Sequence, residues 1–205
     1  MSHYASMTDL LAAEDRDNYT IEVRSADAKV AILAPHGGEI EPGTNQIAGA
    51  IAEAGYRLYC FNGHRKGGAN YDYLHVTSHQ YDEPRCRELI APCDVVVAIH
   101  GCADVDRSGA TLYLGGRDEP LREAIGETLR RAEFKVAAFS NTPDKFKGQH
   151  LYNICNLGRR RAGVQLELPR SLRRSLVPSG GTRGARFQPF VEAIRRAIHG
   201  HATQE

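Results

Sequence analysis

The sequence predicts an α/β domain in which a mostly parallel, mixed β-sheet is flanked by helices on both faces. Three observations carry this. Strand-like and helix-like segments alternate along the chain, as in sheets whose strands are joined by crossover helices. Residues 94–100, DVVVAIH, form a nearly continuous β-branched run, the composition of a strand covered on both faces. The 205 residues, 41% hydrophobic and 25% charged, suit one domain with a sizeable core and argue against wholesale disorder. A single domain over 1–205 is expected, with residues 1–18 as a peripheral extension.

Each element follows from local pattern. YTIEV (19–23) and KVAILA (29–34) read as strands separated by a polar turn around Asp27. In TNQIAGAIAEAG (44–55), Ile47, Ala50, Ile51 and Ala54 recur at helical spacing, and Gly55 can close the helix. YRLYCF (56–61) is a strand, followed by a polar, Gly-rich loop at 63–70. Residues 94–100 and 110–116 are further strands. DEPLREAIGETLRRA (118–132) has a proline and acids at its start, as helix N-termini favour. KVAAFS (135–140) reads as a strand, and AGVQLELP (162–169) as a strand stopped by Pro169. SGGTRGAR (179–186) reads as a mobile loop, and 187–200 as a last helix capped by Gly200.

Composition narrows the function. The formal net charge is only +1, and no recognised nucleic-acid motif appears, so nucleic acid is a disfavoured partner. Charge is uneven, however. Between Arg159 and Arg186 eight arginines face the single acid Glu167, a local excess of +7 that attracts anionic partners. The five cysteines are odd in number and lack C-x-x-C spacing, which argues against a disulfide framework or zinc knuckle. Cys102 reads as a small buried apolar group rather than a ligand. No basic-then-apolar leader opens the chain and no apolar run approaches about 20 residues, so membrane spans are excluded and a cytoplasmic location is expected. The glycines form neither a phosphate loop nor a dinucleotide fingerprint.

The chemistry concentrates at strand ends, where α/β sheets bind their ligands. His36 follows the strand ending at Ala34, His100 ends the strand beginning at Asp94, and Glu167 lies within 162–169. Either histidine alone reads as an ordinary loop residue. Together, each beside glycine, they supply with Glu39 or Glu41 the His/His/Glu set common in zinc catalysts. A further carboxylate then serves as general base. Two-residue alternation puts Gln165 and Glu167 on one face, opposite Val164, Leu166 and Leu168. An exposed edge strand and the wall of an active site both account for that face.

PHGGEIEPGT, LHVTSHQYDEP, AIHG, NICNLG and AGVQLEL occur in this order between about residues 29 and 169. The ordered set resembles the zinc-dependent poly-γ-glutamate hydrolases, found first in bacteriophages and similar in fold to zinc carboxypeptidases. Carboxypeptidase spacing, H-x-x-E, would select Glu39 as ligand. The hydrolases resemble H-G-G-x-I-E, which selects Glu41 and leaves Glu39 spare. The resemblance implies Zn2+ on His36, Glu41 and His100, with Glu167 as general base. It puts His75 and Ser78 near the site, and Asn156 and Arg159 are candidates to bind the substrate amide and carboxylate. The implied substrate is an anionic γ-glutamyl polymer, with a small N-acyl amino acid as the alternative and a non-catalytic polyanion or nucleic-acid binder as a third reading. Release by lysis would follow from a phage origin.

Overall fold

In the computed structural model, which describes residues 3–105, 110–178 and 182–202, six strands form one sheet. The strands are β1 (Tyr19–Arg24), β2 (Val30–Gly38), β3 (Arg57–Gly63), β4 (Val95–Cys102), β5 (Tyr113–Gly116) and β6 (Val164–Pro169). Their order is β1-β3-β2-β4-β6-β5. The four central strands run parallel, and the two edge strands, β1 and β5, pair antiparallel. Seven α-helices join them: α1 (Met7–Ala13), α2 (Thr44–Ala52), α3 (Asn70–Leu74), α4 (Pro84–Ile90), α5 (Glu119–Arg131), α6 (Arg170–Leu176) and α7 (Phe187–Ala202).

Alternation along the strands sorts the core into two layers. Ile32, Leu58, Val97, Ile99 and Leu166 pack against α2, α5 and α7. Leu33, Tyr59, Phe61, Val96 and Ala98 pack against α1, α4 and a 3₁₀ turn, Ile154–Leu157. The second layer runs out of apolar cover at the carboxyl end of the sheet. There the same face carries His100, Gln165 and Glu167, with His100 and Glu167 in direct register on β4 and β6.

Three expectations need correction. Residues 135–140 do not form a strand. Val136 makes a single bridge to Leu112 before the chain turns into a 3₁₀ turn, Phe139–Asn141. The outer edge of β5 is occupied instead by 146–148: Gly116 N–H donates to Lys147 O at 2.8 Å. The described part of the N-terminal segment, 3–18, is not peripheral throughout, because Met7 and Leu10 are fully buried in the second layer. Ser6 caps α1, and Asp82 accepts from Thr8 N and Oγ1 at 2.9 and 2.7 Å. Gly200 does not end the last helix, which runs to Ala202, its final turn held by His201 facing Asp118 at 3.4 Å. Of the two readings of the Gln165 and Glu167 face, the structure favours the wall of a site over an exposed edge, because β6 is interior, between β4 and β5. The loop expected at 179–186 includes 179–181, which lie outside the described residues.

Candidate metal centre

His36 owes its position to a bulge. From Ala34 to Gly37, β2 spends three steps where β3 spends two, from Cys60 to Asn62. An extra residue inverts the facing of the residues after it. Strict alternation would send His36 to the side of Ile32 and Ala34. The bulge turns it to the side of His100, with Tyr81 behind it at 6.2 Å between ring centroids. The two glycines after His36 are steric requirements. A Cβ on Gly37 would lie 2.4 Å from Asn62 Oδ1, and one on Gly38, whose φ is +65°, would lie 2.4 Å from Gly63 O. The turn then closes with Glu41 N–H donating to His36 O at 2.9 Å, which folds Glu41 back over the histidine. Glu41 is buried and Glu39 is exposed.

Four side chains converge here. His36 Nδ1 is 3.3 Å from Glu41 Oε1 and 3.2 Å from His100 Nδ1. Glu41 Oε2 is 3.9 Å from His100 Nδ1, and Glu41 Oε1 is 3.9 Å from His75 Nε2. His75 follows α3 and stacks between Tyr71 and His36, at 4.6 and 4.0 Å between ring centroids. His36, Glu41 and His75 can each offer one atom with all three within 4.8 Å of one another.

A hydrogen bond to a backbone carbonyl sets the tautomer of His36. His36 Nε2 lies 2.8 Å from Val76 O; a carbonyl only accepts, so Nε2 carries the proton and Nδ1 presents its lone pair to the cluster. Ser78 Oγ is 3.4 Å from His100 Nε2; a hydroxyl both donates and accepts, and with Oγ accepting, His100 Nδ1 is left free. Burial, and then the neighbouring His36, hold His100 well below the ordinary histidine value and His75 down to about 3. Both rings are therefore neutral and able to donate lone pairs. Tetrahedral zinc, with bonds of about 2.0–2.1 Å, sets its ligand atoms about 3.3 Å apart. The donor types and their spacing fit such an ion.

Glu167 stands beside this cluster on β6. Burial, and then the Glu41 carboxylate, push its carboxyl well above the ordinary range. A relay orients it: Asn153 Nδ2 donates to Gln165 Oε1 at 2.8 Å, and Gln165 Nε2 donates to Glu167 Oε1 at 3.0 Å. Cys102 stays a free, buried thiol, pushed up to about 12 by burial and then by Glu167, and packs with Tyr113 and Phe146.

Two sequence candidates lie elsewhere. Asn156 was expected to hold a substrate amide, but it is fully buried. Its Nδ2 donates to Gly148 O and His150 O at 2.8 and 3.0 Å, and its Oδ1 accepts from Gly163 N at 3.1 Å. It anchors a loop of the site wall and has no group left for substrate. Arg159 was expected to clamp a carboxylate. It pairs with Asp94, at the amino end of β4, while His100 is at the carboxyl end. The arginine-rich stretch is dispersed in the fold. Only Arg170, Arg173 and Arg174 of its eight line the cavity, where Lys145 and Lys147 join them. The lysines lie outside the basic run, and nothing in the sequence marked Arg173 as buried. The cavity over the cluster measures about 1590 Å³.

The profile of the poly-gamma-glutamate hydrolase family matches residues 4–193. This chain belongs to that family. Its relatives include the SPbeta prophage-derived UPF0714 protein YoqZ of Bacillus subtilis, 31% identical over 96% of this chain and 71% of the relative. The structure superposes on a bacteriophage poly-gamma-glutamate hydrolase with a TM-score of 0.91, at 27% identity over the whole of both chains. It superposes on the zinc-free apo form of YndL with a TM-score of 0.89, at 28% identity over 98% of this chain and 99% of that one. A putative carboxypeptidase A from Shewanella denitrificans shares the fold, with a TM-score of 0.52 at 15% identity over 94% of this chain and 66% of that one. This family member is thus a hydrolase on a carboxypeptidase-like α/β fold. None of its described helices is long and apolar enough to cross a membrane.

Proposed function

We propose that this family member is a zinc-dependent amidohydrolase that cuts γ-glutamyl amide bonds of poly-γ-glutamate. The observation that carries the reading is the convergence of two imidazole Nδ1 atoms and one carboxylate at 3.2–3.9 Å, at the carboxyl end of a sheet that also presents a buried glutamate. His36 Nδ1, Glu41 and His100 Nδ1 would hold the ion, with His75 packed on His36 as the competing donor. Zinc, when bound, lowers the pKa of a water and polarises a carbonyl.

Glu167 takes the proton of the attacking water and returns it to the departing amine nitrogen. Its raised proton affinity suits that exchange, and the hydrogen bond to Oε1 leaves Oε2 for the proton. Arg170, Arg174 and Lys145 line the cavity and give it the charge to draw in a polyanion. A volume of about 1590 Å³ exceeds the roughly 300–1,000 Å³ of ordinary small-molecule pockets, which favours a polymer segment over a single N-acyl amino acid. Five free, buried thiols suit a reducing compartment, in line with residence in the cytoplasm.

Metal analysis of wild type beside His36→Ala tests the centre: about one zinc per chain is expected in the wild type and little in the variant. Chain-length analysis of γ-glutamyl polymer tests the substrate. Cleavage of short acylated substrates with intact polymer would favour the deacylase, and a wild type without metal after zinc is supplied would sink both.

A further inference from the structure

Arg173, on α6, is buried at 6% exposure. Its Nε donates to Leu168 O at 3.0 Å, its Nη1 to Pro42 O at 2.6 Å and its Nη2 to Cys102 O at 3.4 Å. These carbonyls belong to three separate segments. Pro42 directly follows Glu41, Leu168 directly follows Glu167, and Cys102 lies two residues past His100. The guanidinium lies against Gly101, where a Cβ would come within 2.6 Å of Arg173 Cζ. Gly101 N–H in turn donates to Glu41 Oε2 at 2.7 Å.

We propose that Arg173 is the positioning residue of this centre: one guanidinium clasps the segments that carry Glu41, His100 and Glu167 and sets their separation. The proposal rests on the reading of the cluster as a metal centre. Only a planar fork with several fixed donors can reach three carbonyls from one point. A lysine keeps the charge but concentrates its donors on one atom. An apolar side chain would fill the space without the cost of burying a charge, yet could not pin the three chains. Arg173 acts through the backbone, so its effect falls on the geometry of the donors.

The test compares wild type, Arg173→Lys and Arg173→Ala as full chains, measuring zinc dissociation constants by competition with a chromophoric chelator. Leu129→Ala, in the core layer on the other face of the sheet, is the control for general destabilisation. Arg173→Lys is expected to weaken zinc about 10–100-fold, the usual cost of losing a partner that orients metal ligands. Arg173→Ala is expected to weaken it as much or more and to recover partly with free guanidinium but not with methylammonium. Leu129→Ala should lower Tm and leave zinc affinity unchanged. The clasp is overturned if Arg173→Lys binds zinc like wild type, if Leu129→Ala loses as much affinity, or if Arg173→Lys fails to fold, which would make the arginine a general support. A wild type that binds no zinc overturns the metal-centre reading itself, and the clasp with it.

Discussion

The two ends of β4 carry the same kinds of residue and do different things. At the amino end, Asp94 meets Arg159 in a pair whose arginine side chain is 66% exposed. At the carboxyl end, His100 meets His36, Glu41 and Glu167, all of them buried. An exposed pair exchanges solvation for little net energy. The buried groups have lost water, which lowers the proton affinity of His100 and raises that of Glu167. Burial comes from the loops that fold over the carboxyl end: 39–43, 75–78 and 144–150 all line the cavity there. Strand ends become chemical only where the connections close over them.

Substitutions at the two ends should therefore separate sharply. The largest effect is expected for Glu167→Gln, which should lower kcat by about 10²–10⁴ while zinc content stays at the wild-type level. Asp94→Asn should leave kcat near wild type. Equal losses from both would erase the distinction. Next comes Glu41→Gln, which should weaken zinc by more than about 100-fold, beyond the cost of losing an outer partner. Glu39→Gln, exposed at the rim, should not, and dialysis followed by metal analysis reads the pair directly.

Asn156→Ala should cost about 2–3 kcal/mol in urea unfolding, since several buried backbone groups lose their partner. It should also lower activity by freeing the 148–150 wall. An unaltered midpoint would return Asn156 to the substrate side.

The metal-free protein offers a sharper view of burial. His75 is held down to about 3 from 6.5, and His100 well below that value. Below about pH 6.5 the unfolded chain binds protons that the folded one refuses, so stability should fall as pH drops through that window. His75→Ala should flatten the fall in melts recorded down to about pH 4.5. A flat wild-type profile would show that the rings protonate freely.

The smallest effect belongs to the rim. Arg170→Ala with Arg174→Ala should raise KM for polymer a few-fold at low salt and by less at high salt, whereas Arg159→Ala should leave it unchanged.

Much of this was legible in the residues. The parallel core followed from β-branched runs alternating with helical periods, because burial on one or two faces writes a period into the chain. His36, Glu41, His100 and Glu167 stood out as candidates from their places at strand ends and from the order of the motifs around them, and the fold brings the four together. Tertiary structure decided the rest. The bulge at Ala34–Gly37 that turns His36 toward His100 depends on pairing with β3, a partner two dozen residues away in the chain. The choice between a solvated Arg159 and a buried Arg173 depends on which end of the sheet each helix or loop returns to. Asn156 looked like a ligand because its amide is polar, and became an anchor because two loops meet at it. Periodicity reports which face a side chain leaves by. Only the fold decides what it meets there, since contacts between distant segments leave no local pattern in any one of them.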